Sequence, residues 1–411
     1  MTFLQILQRL CAAASLAILA TGGGLLVSWW GREQQLSDLF PGGHYAHNPA
    51  ALWGGLFLVG WSFLGAFPVR LLLGKPRDEG AYRSGEGRLI EAADGARLWV
   101  ECHGGEHAPA LILTHGLGLD STLWREAKAQ LSGRFRVITW DLPGHGRSTM
   151  PADGRLSMDR LADELKAVVA LASGPAVLVG HSIGGMMLQT LCVRHPEFAD
   201  MKIAGVVLVN TTHADPVRTT FGARLWRLVE APLFKPMARL DILLSPLVRL
   251  MNEQSRLSGM AHVAMRLGGF GTQPSRRLLD HVTRLSARCS PAVQAKGLLA
   301  MMAWDITPEL RRIRQTTHVF VGGRDLVTRP AAGSAIAAAI LGAFETRVPH
   351  AGHLGPIECP SFYDHAIAAF ADAVLMKGAV WADRAPARPR DPILVEDRSF
   401  RPAPEDATLP L

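Results

Sequence analysis

Hydrophobic residues are arranged in two ways along this chain. Near the amino terminus, residues 10–31 and 50–69 form two apolar stretches that contain no charged residue. Each stretch has about 20 residues, which as a helix crosses roughly 30 Å of hydrocarbon. Neither has a polar face, and tryptophans lie at or near their ends. The pattern predicts a transmembrane helical hairpin, which makes residues 1–75 a membrane anchor.

A cleaved signal peptide is the alternative for the first stretch, because Arg9 stands directly before it. The second stretch would then still span the membrane. Positive charge predicts the orientation, since Arg32 stands alone between the stretches, whereas Arg70, Lys75 and further arginines follow the second one. We therefore expect a multi-pass protein with a cytoplasmic catalytic domain. Five scattered cysteines without a C-x-x-C pair agree with a reducing compartment.

The second pattern covers residues 84–378, where short β-rich runs alternate with helical ones. Several runs are continuous in valine, isoleucine and leucine, as in strands that are covered on both faces. This alternation is typical of an α/β fold with a doubly wound, mainly parallel sheet. The runs are RLWVECH (97–103), ALILTHG (110–116), RVITWDLPG (136–144), AVLVGHS (176–182), IAGVVLVN (203–210), HVFVGGRD (318–325) and FETRVPHAGH (344–353).

Residues 211–316 interrupt the strands with helical patterns, and we call this segment the lid. Its residues 218–288 hold twelve basic and four acidic side chains among many leucines. A basic and apolar lid suits an anionic membrane surface and an apolar substrate. A second interpretation has equal weight. In it, the apolar stripe packs on the catalytic core and the arginines form a solvated face.

Composition narrows the classes of function. The chain has 411 residues, of which 48% are hydrophobic and 19% charged, with a net charge of +7. No run of five to eight basic residues appears, so nucleic acid is not an expected partner. The cysteines and histidines form no metal-binding spacing, and no cofactor or metal is expected. Residues 379–411 are rich in proline and mixed charge, which predicts a disordered tail.

Catalytic chemistry is indicated first by Gly180-His181-Ser182-Ile183-Gly184, which lies between a β-rich run and a helical one. In this context a G-x-S-x-G sequence forms a nucleophile elbow, a tight turn that exposes the serine. Glycines on both sides let the strand and helix approach closely. Ser182 is therefore the predicted nucleophile.

A serine needs a base and an acid that orients the base, and both are expected after later strands. Asp325 ends the run HVFVGGRD, and His353 follows the last strand, so the order Ser182, Asp325, His353 fits. The oxyanion needs two backbone N–H donors, for which Ile183 and Leu117 are the candidates. The sequence predicts a serine-type triad with this oxyanion hole.

Three other residues are weighed against these assignments. Asp215, which follows the strand at 203–210, is the alternative acid, although it also precedes Pro216 as a helix-capping aspartate would. His350 lies three residues before His353 and is expected to be structural or a pocket wall. His115, in an H-G pair at a strand end, is expected to be a structural hydrogen-bonding residue.

Together these segments resemble the α/β-hydrolase fold family over residues 87–376. The matching sequences are HGLGLDSTLW (115–124), DLPGHGRS (141–148), GHSIGG (180–185), GGRD (322–325) and AGH (351–353). The resemblance implies hydrolysis of a carboxylic ester or related acyl bond. It also implies a structural turn at DLPGHGRS, without catalytic roles for Asp141 and His145. The amino-terminal anchor departs from the common members.

We therefore expect a membrane-anchored serine hydrolase that cleaves a hydrophobic, lipid-like acyl ester through an acyl-enzyme on Ser182. Acyl transfer or thioester cleavage by the same triad is an alternative, because only the acceptor or the acyl bond differs. A slow-turnover ligand sensor on a hydrolase fold is another.

Overall fold

A computed structural model of the protein describes residues 3–39, 48–77, 80, 82, 84–375 and 393–394. The helices are α1 (Phe3–Leu39), α2 (Pro49–Leu64), α3 (Ala66–Leu73), α4 (Arg125–Leu131), α5 (Met158–Val169), α6 (Ile183–Arg194), α7 (Pro196–Lys202), α8 (Pro216–Thr219), α9 (Ala223–Val229), α10 (Lys235–Leu243), α11 (Ser245–Leu257), α12 (Met260–Gly268), α13 (Arg276–Arg288), α14 (Pro291–Met302), α15 (Pro330–Ala339), α16 (Gly355–Glu358) and α17 (Pro360–Leu375). The strands are β1 (Arg88–Glu91), β2 (Arg97–His103), β3 (Ala110–Thr114), β4 (Arg136–Trp140), β5 (Ala176–His181), β6 (Ile203–Val209), β7 (Thr316–Gly322), β8 (Phe344–Val348) and β9 (Ile393–Leu394).

The strands form one sheet in the order β1-β2-β4-β3-β5-β6-β7-β8-β9. Strands β3 to β9 pair in parallel, whereas β1 and β2 run antiparallel at one edge. The predicted α/β fold with a mainly parallel sheet is confirmed, and each predicted run contains a strand. Strand β1 was not predicted, because its short sequence RLIE carries a charge at each end and is mostly exposed.

The core lies on both faces of this sheet. All five residues of β3 are buried, and alternate residues point to opposite faces. Leu111 and Leu113 pack with Val177 and Val179 on one face, whereas Ile112 packs with the cluster on the other. The carboxyl ends of the parallel strands therefore remain available for loops that carry functional residues.

The amino-terminal segment forms helices, with ends that differ from the predicted ones. Helix α1 is longer than predicted, and its part Phe3–Gly31 is long and apolar enough to cross a membrane. The second apolar stretch is not one helix, because α2 and α3 meet at a 64° bend. The bend lies at Gly65, where a Cβ would be 2.4 Å from the Ser258 carbonyl oxygen. Only glycine permits this close approach of the hairpin to the lid.

Helices α1 and α2 pack closely against each other. A Cβ at Gly22 would lie 2.9 Å from Leu58 Cβ, and one at Gly55 would lie 2.8 Å from the Leu26 side chain. Small residues at such crossings let helix backbones approach, as is common between membrane helices. Apolar side chains point outward from the pair, including exposed Trp53. Helices α1 and α2 therefore pack as a pair, and the connection at residues 40–47, which the predicted hairpin requires, lies outside the described residues.

Helix α1 also enters the catalytic domain. The Phe3 N–H donates to Thr220 Oγ1 at 3.0 Å, and the Ser15 hydroxyl donates to Gln254 Oε1 at 2.7 Å. Between these two contacts, Arg9 forms an ion pair with Asp241 of the lid. The first four turns of α1 are therefore packed on the lid, and residues 1–75 are not a separate anchor.

The lid is built from helices α8 to α14 and the loops between them, and it uses apolar side chains on two sides. Trp226 and Phe234 point toward the core, whereas leucines of α9 to α11 are exposed. Arginines share this outer surface, which comprises exposed Arg224, Arg227, Leu228, Arg239, Leu240, Leu243, Leu247 and Leu250. The outer surface of the lid is therefore both basic and apolar. Of the predicted tail at 379–411, only β9 lies within the described residues.

A buried carboxyl in α5 gives a test of stability. Glu164 is 2% exposed, and burial together with the nearby Asp94 carboxylate raises its pKa to about 9. The unfolded chain ionises this group near pH 4, so folding becomes less favourable as pH rises from about 4 to 9. We expect Glu164→Gln to raise the melting temperature by about 2–4 °C at pH 8.

The same substitution should have a smaller effect at pH 4, where Glu164 is neutral in the folded protein and largely protonated in the unfolded chain. Thermal unfolding of the purified protein at the two values of pH measures the difference. Glu106→Gln is the matched control, because Glu106 is exposed. Equal shifts at both values of pH would contradict this account of Glu164.

Candidate active site

The predicted nucleophile lies on a strained turn between β5 and α6. Ser182 has φ 55° and ψ −121°, a conformation that non-glycine residues seldom adopt. The turn is tight, because a Cβ at Gly180 would lie 2.6 Å from the backbone of Gly184. The Ser182 N–H donates to the Val209 carbonyl at 3.0 Å, which fixes the turn to the next strand. These contacts present the hydroxyl at the carboxyl edge of the sheet.

The loops after β7 and β8 bring the other two predicted residues together. His353 Nδ1 lies 2.9 Å from Asp325 Oδ2, and both side chains are buried. Because an ionised carboxylate only accepts, Nδ1 carries the proton and Nε2 is left as an acceptor. Asp325 also accepts the N–H groups of Val327 and Thr328 and the Thr328 hydroxyl. This set of donors fixes the orientation of the carboxylate beside His353.

Ser182 and His353 line the same small space of about 70 Å³. Within the described residues, the Ser182 hydroxyl has no recorded hydrogen bond to His353. Such bonds are often long before substrate binds, so this geometry is compatible with a base beside the serine. Two partners hold the His353 backbone, because its carbonyl accepts from His181 Nε2 at 2.8 Å and from Asn210 Nδ2 at 2.9 Å.

Two backbone donors lie beside the serine, as the sequence predicts. Ile183 begins α6, where an N–H has no acceptor within its helix. Leu117 belongs to a loop that lines the same space. No acceptor is recorded for either N–H in the part of the chain that the structure describes. A Cβ at Gly116 would lie 3.2 Å from Ser182 Cβ, so this loop passes directly beside the serine.

Two buried histidines hold the loop in place. His145 Nε2 accepts the Gly118 N–H at 3.1 Å, and His115 Nε2 accepts the Leu142 N–H at 2.9 Å. Burial lowers the pKa of His145 to about 3 and that of His115 to about 4, so both stay neutral acceptors at pH 7. Asp141 accepts the Ser121 and Arg147 N–H groups of the same region. These residues position the loop, as the sequence indicated for His115.

The alternative residues lie elsewhere. Asp215 accepts the Val217 N–H at 2.9 Å and caps α8, with no recorded contact to His353. Burial raises its pKa to about 6. His350 is exposed and does not line the space beside Ser182, so it is not a wall of this pocket. The geometry therefore brings together Ser182, Asp325 and His353.

The sequence analysis did not predict the residues that cover this space on the side opposite the sheet. Leu4, Gln5 and Gln8 of α1 lie over the serine, opposite the sheet. The sequence does contain a pattern that indicates them. Polar residues recur in α1 at positions 5, 8 and 15, and this spacing of three and seven places them on one face of a helix. Asn210 was also missed, although it directly follows β6 and adopts φ 46°.

Comparisons with known proteins agree with this geometry. The profile of the alpha/beta hydrolase fold matches residues 109–360, which is more than half of the chain. The chain belongs to the α/β-hydrolase fold family. Its match begins at β3 and ends at the start of α17, so it contains the serine turn, both loops and the lid. Helices α1, α2 and α3 lie outside the matched residues.

Two relatives of this chain are, by name, an esterase and a lactonase. A pimeloyl-[acyl-carrier protein] methyl ester esterase of Edwardsiella ictaluri is 28% identical over 278 residues, which cover 67% of this chain and 98% of the relative. A 3-oxoadipate enol-lactonase 2 of Acinetobacter baylyi is 26% identical over 265 residues, 64% of this chain and 88% of that one. The protein is an enzyme that hydrolyses ester bonds.

A solved structure extends the α/β-hydrolase comparison to three dimensions. The crystal structure of a hydrolase from Pseudomonas aeruginosa PA01 is 25% identical and superposes with a TM-score of 0.52. It covers 70% of this chain, whereas 99% of that hydrolase is matched. This chain therefore carries a complete hydrolase domain and additional residues.

Proposed function

We propose that the protein is a membrane-anchored serine hydrolase that cleaves a hydrophobic carboxylic ester through an acyl-enzyme on Ser182. The 2.9 Å contact of His353 Nδ1 with Asp325 Oδ2, beside the strained Ser182 turn, carries this proposal. An oriented base next to an exposed serine is the arrangement that nucleophilic acyl chemistry needs.

The reaction follows from the positions of the side chains. His353 Nε2 takes the Ser182 proton while Oγ attacks the ester carbonyl carbon. The Leu117 and Ile183 N–H groups stabilise the negative charge on the carbonyl oxygen. The C–O bond of the ester then breaks, and His353 gives the proton to the leaving alcohol. Water attacks the acyl-enzyme by the same proton transfers in reverse and releases the acid.

Pre-steady-state kinetics with a p-nitrophenyl ester test the proposal. We expect a burst of p-nitrophenolate equal to one equivalent of enzyme, followed by steady turnover, because acylation precedes deacylation. The two alternatives give different results. A slow ligand sensor gives a burst without turnover, and an acyltransferase or thioesterase is accelerated by an added acceptor or prefers a thioester. Turnover in proportion to enzyme without any accumulated acyl-enzyme under single-turnover conditions would contradict the acyl-enzyme.

The membrane anchor is proposed on the amino-terminal helices. Large apolar side chains point outward from α2 and α3, among them Phe57, Leu64 and Leu72, each more than 60% exposed. A soluble surface rarely exposes a contiguous apolar patch of this kind, whereas lipid would cover it. The outer surface of the lid adds exposed leucines and arginines, which suits an anionic bilayer surface.

The orientation is testable, because both ends of the hairpin contact the same domain. The Phe3 N–H donates to Thr220 Oγ1, and the Lys75 N–H donates to the Pro274 carbonyl. These contacts support an even number of crossings, and the charge pattern of the sequence supports a cytoplasmic position of this domain. We expect His44→Cys, between the two helices, to react with an impermeant maleimide in intact cells.

The native Cys102 is the internal control, since it is exposed on the catalytic domain. It should react only after the cells are lysed. The experiment uses variants in which the other native cysteines are replaced by alanine. Labelling of Cys102 in intact cells together with protection of the residue at position 44 would contradict the proposed orientation.

A further inference from the structure

A second space, much larger than the one at Ser182, lies between α1 and the lid. Its volume is about 590 Å³, within the range of roughly 300–1,000 Å³ that ligand sites occupy. Helix α1 forms one wall, helices α9 to α11 of the lid form another, and α14 contributes a third. The lining is mainly apolar and includes Ile6, Ala13, Trp226, Val229, Met237 and Leu298.

The two spaces are neighbours. Gln5, Gln8 and Gln294 line both of them. The Gln8 amide donates to Ser286 Oγ at 3.1 Å, and the Gln294 amide donates to the Ser286 carbonyl at 2.8 Å. These bonds hold two of the three side chains against α13. The three glutamines therefore lie between the space at Ser182 and the large space.

The sizes of the two spaces favour a substrate whose acyl chain extends from the space at Ser182 into the larger one. The space at Ser182 measures about 70 Å³, a little more than twice the roughly 30 Å³ that one water occupies in the liquid. An ester group fits there, but a long acyl chain does not. The adjoining 590 Å³ offers the apolar surroundings that such a chain needs.

Helix α1 is fixed in this position by specific polar contacts. Arg9 pairs with Asp241, and both residues line the large space. Ser15, which is fully buried, bonds to Gln254 of α11. An anchor that only holds a protein in a bilayer needs length and apolarity, not buried partners in a catalytic domain. These contacts instead set the rotation and height of α1 beside the lid.

We propose that the acyl chain of the substrate lies between α1 and the lid, so that the first four turns of the anchor helix are a wall of the substrate site. The inference rests on the proposed ester hydrolysis at Ser182 and specifies its substrate as an ester of a long acyl chain. Leu10, Leu225 and Leu233 line the space and are exposed. The chain enters beside these three residues, from the lipid that surrounds the hairpin.

A chain-length series tests this site. The substrates are p-nitrophenyl acetate, octanoate and palmitate, hydrolysed by the full chain in detergent micelles. Ala13→Trp reduces the space, because Ala13 lines it. We expect kcat/KM for palmitate to fall about tenfold, which corresponds to about 1.4 kcal/mol, with acetate unchanged. Ala14→Trp is the matched control, since Ala14 is exposed and does not line the space.

A second variant, which enlarges the space, tests the site if Ala13→Trp fails to fold. Ile6→Ala enlarges the space and should shift the preferred chain length upward. An unchanged chain-length profile in Ile6→Ala, with normal acetate hydrolysis, overturns the proposed acyl site while the proposed ester hydrolysis stands. Absence of hydrolysis of every ester by the unmodified protein would instead contradict the proposed function.

A photoreactive probe locates the chain directly. The probe is a fluorophosphonate with a dodecyl chain that ends in a diazirine. Ser182 Oγ displaces fluoride to form a P–O bond, and the serine proton leaves through His353. After irradiation, we expect cross-links to peptides that contain residues 5–13 of α1 or residues 225–251 of the lid. Cross-links confined to other parts of the chain would overturn the proposal.

Discussion

Ser182→Ala should lower kcat for ester hydrolysis by a factor of about 10⁴ to 10⁶, the largest effect of any single substitution in this protein. The hydroxyl supplies the atom that bonds to the acyl carbon, and no neighbouring group replaces it. The space at Ser182 holds a second serine, Ser286, which accepts a bond from Gln8. The measurement is steady-state hydrolysis of a p-nitrophenyl ester by purified variant and parent.

Ser286→Ala is the matched control, because it removes a hydroxyl from the same space without removing the proposed nucleophile. We expect its kcat for acetate to stay within about threefold of the parent. Melting temperatures of both variants check that the fold is kept. A Ser182→Ala protein that retains a tenth or more of the parent kcat would contradict the assignment of the nucleophile.

Asp325→Asn should lower kcat by a factor of about 10⁴, while Asp215→Asn should change it by less than about twofold. An asparagine at position 325 presents an amide N–H to His353 Nδ1 and favours the wrong tautomer of the imidazole. At position 215 an asparagine still accepts the Val217 N–H, since asparagine caps helices as well as aspartate does.

The comparison is well matched, because both carboxylates are buried and the substitution is the same. Steady-state kinetics of the two variants with one water-soluble ester give both effects. A larger loss in Asp215→Asn than in Asp325→Asn would transfer the role of the acid to Asp215.

Local sequence patterns predicted the sheet and the serine turn. Continuous apolar runs such as ALILT predict strands, because both faces of a strand in such a sheet are buried between helices. The turn at Ser182 is encoded by the glycines at 180 and 184, which touch each other in the structure. Both features depend on residues that are neighbours in the sequence, so the sequence alone predicts them.

The choice of Asp325 over Asp215 as the acid that orients His353 depended on distances in the structure. Both follow strands at the carboxyl edge of the sheet, and sequence order allowed either one. The loops after β7 and β8 lie side by side because these strands are neighbours, which brings Asp325 to His353. Asp215 follows β6 and directs its carboxylate to its own helix.

The position of α1 was not predictable from hydropathy. An apolar helix face has the same composition whether it contacts lipid or protein, so residues 10–31 indicate a span without showing what lies against it. The bend at Gly65 was missed for a similar reason, because glycine is common in membrane helices and only the nearby Ser258 carbonyl explains it. The stretch contains three hydroxyl residues, Ser15, Thr21 and Ser28, of which Ser15 is buried and bonds to a protein partner.

The central claim is that Ser182, activated by His353 and Asp325, is the nucleophile of an ester hydrolase. Labelling with a fluorophosphonate followed by peptide mass spectrometry tests it most directly, because only an activated serine displaces the fluoride. The account predicts one label for each chain, on the peptide that contains Ser182, and none in Ser182→Ala. Stoichiometric labelling of a different serine, or ester hydrolysis that continues in fully labelled protein, would contradict it.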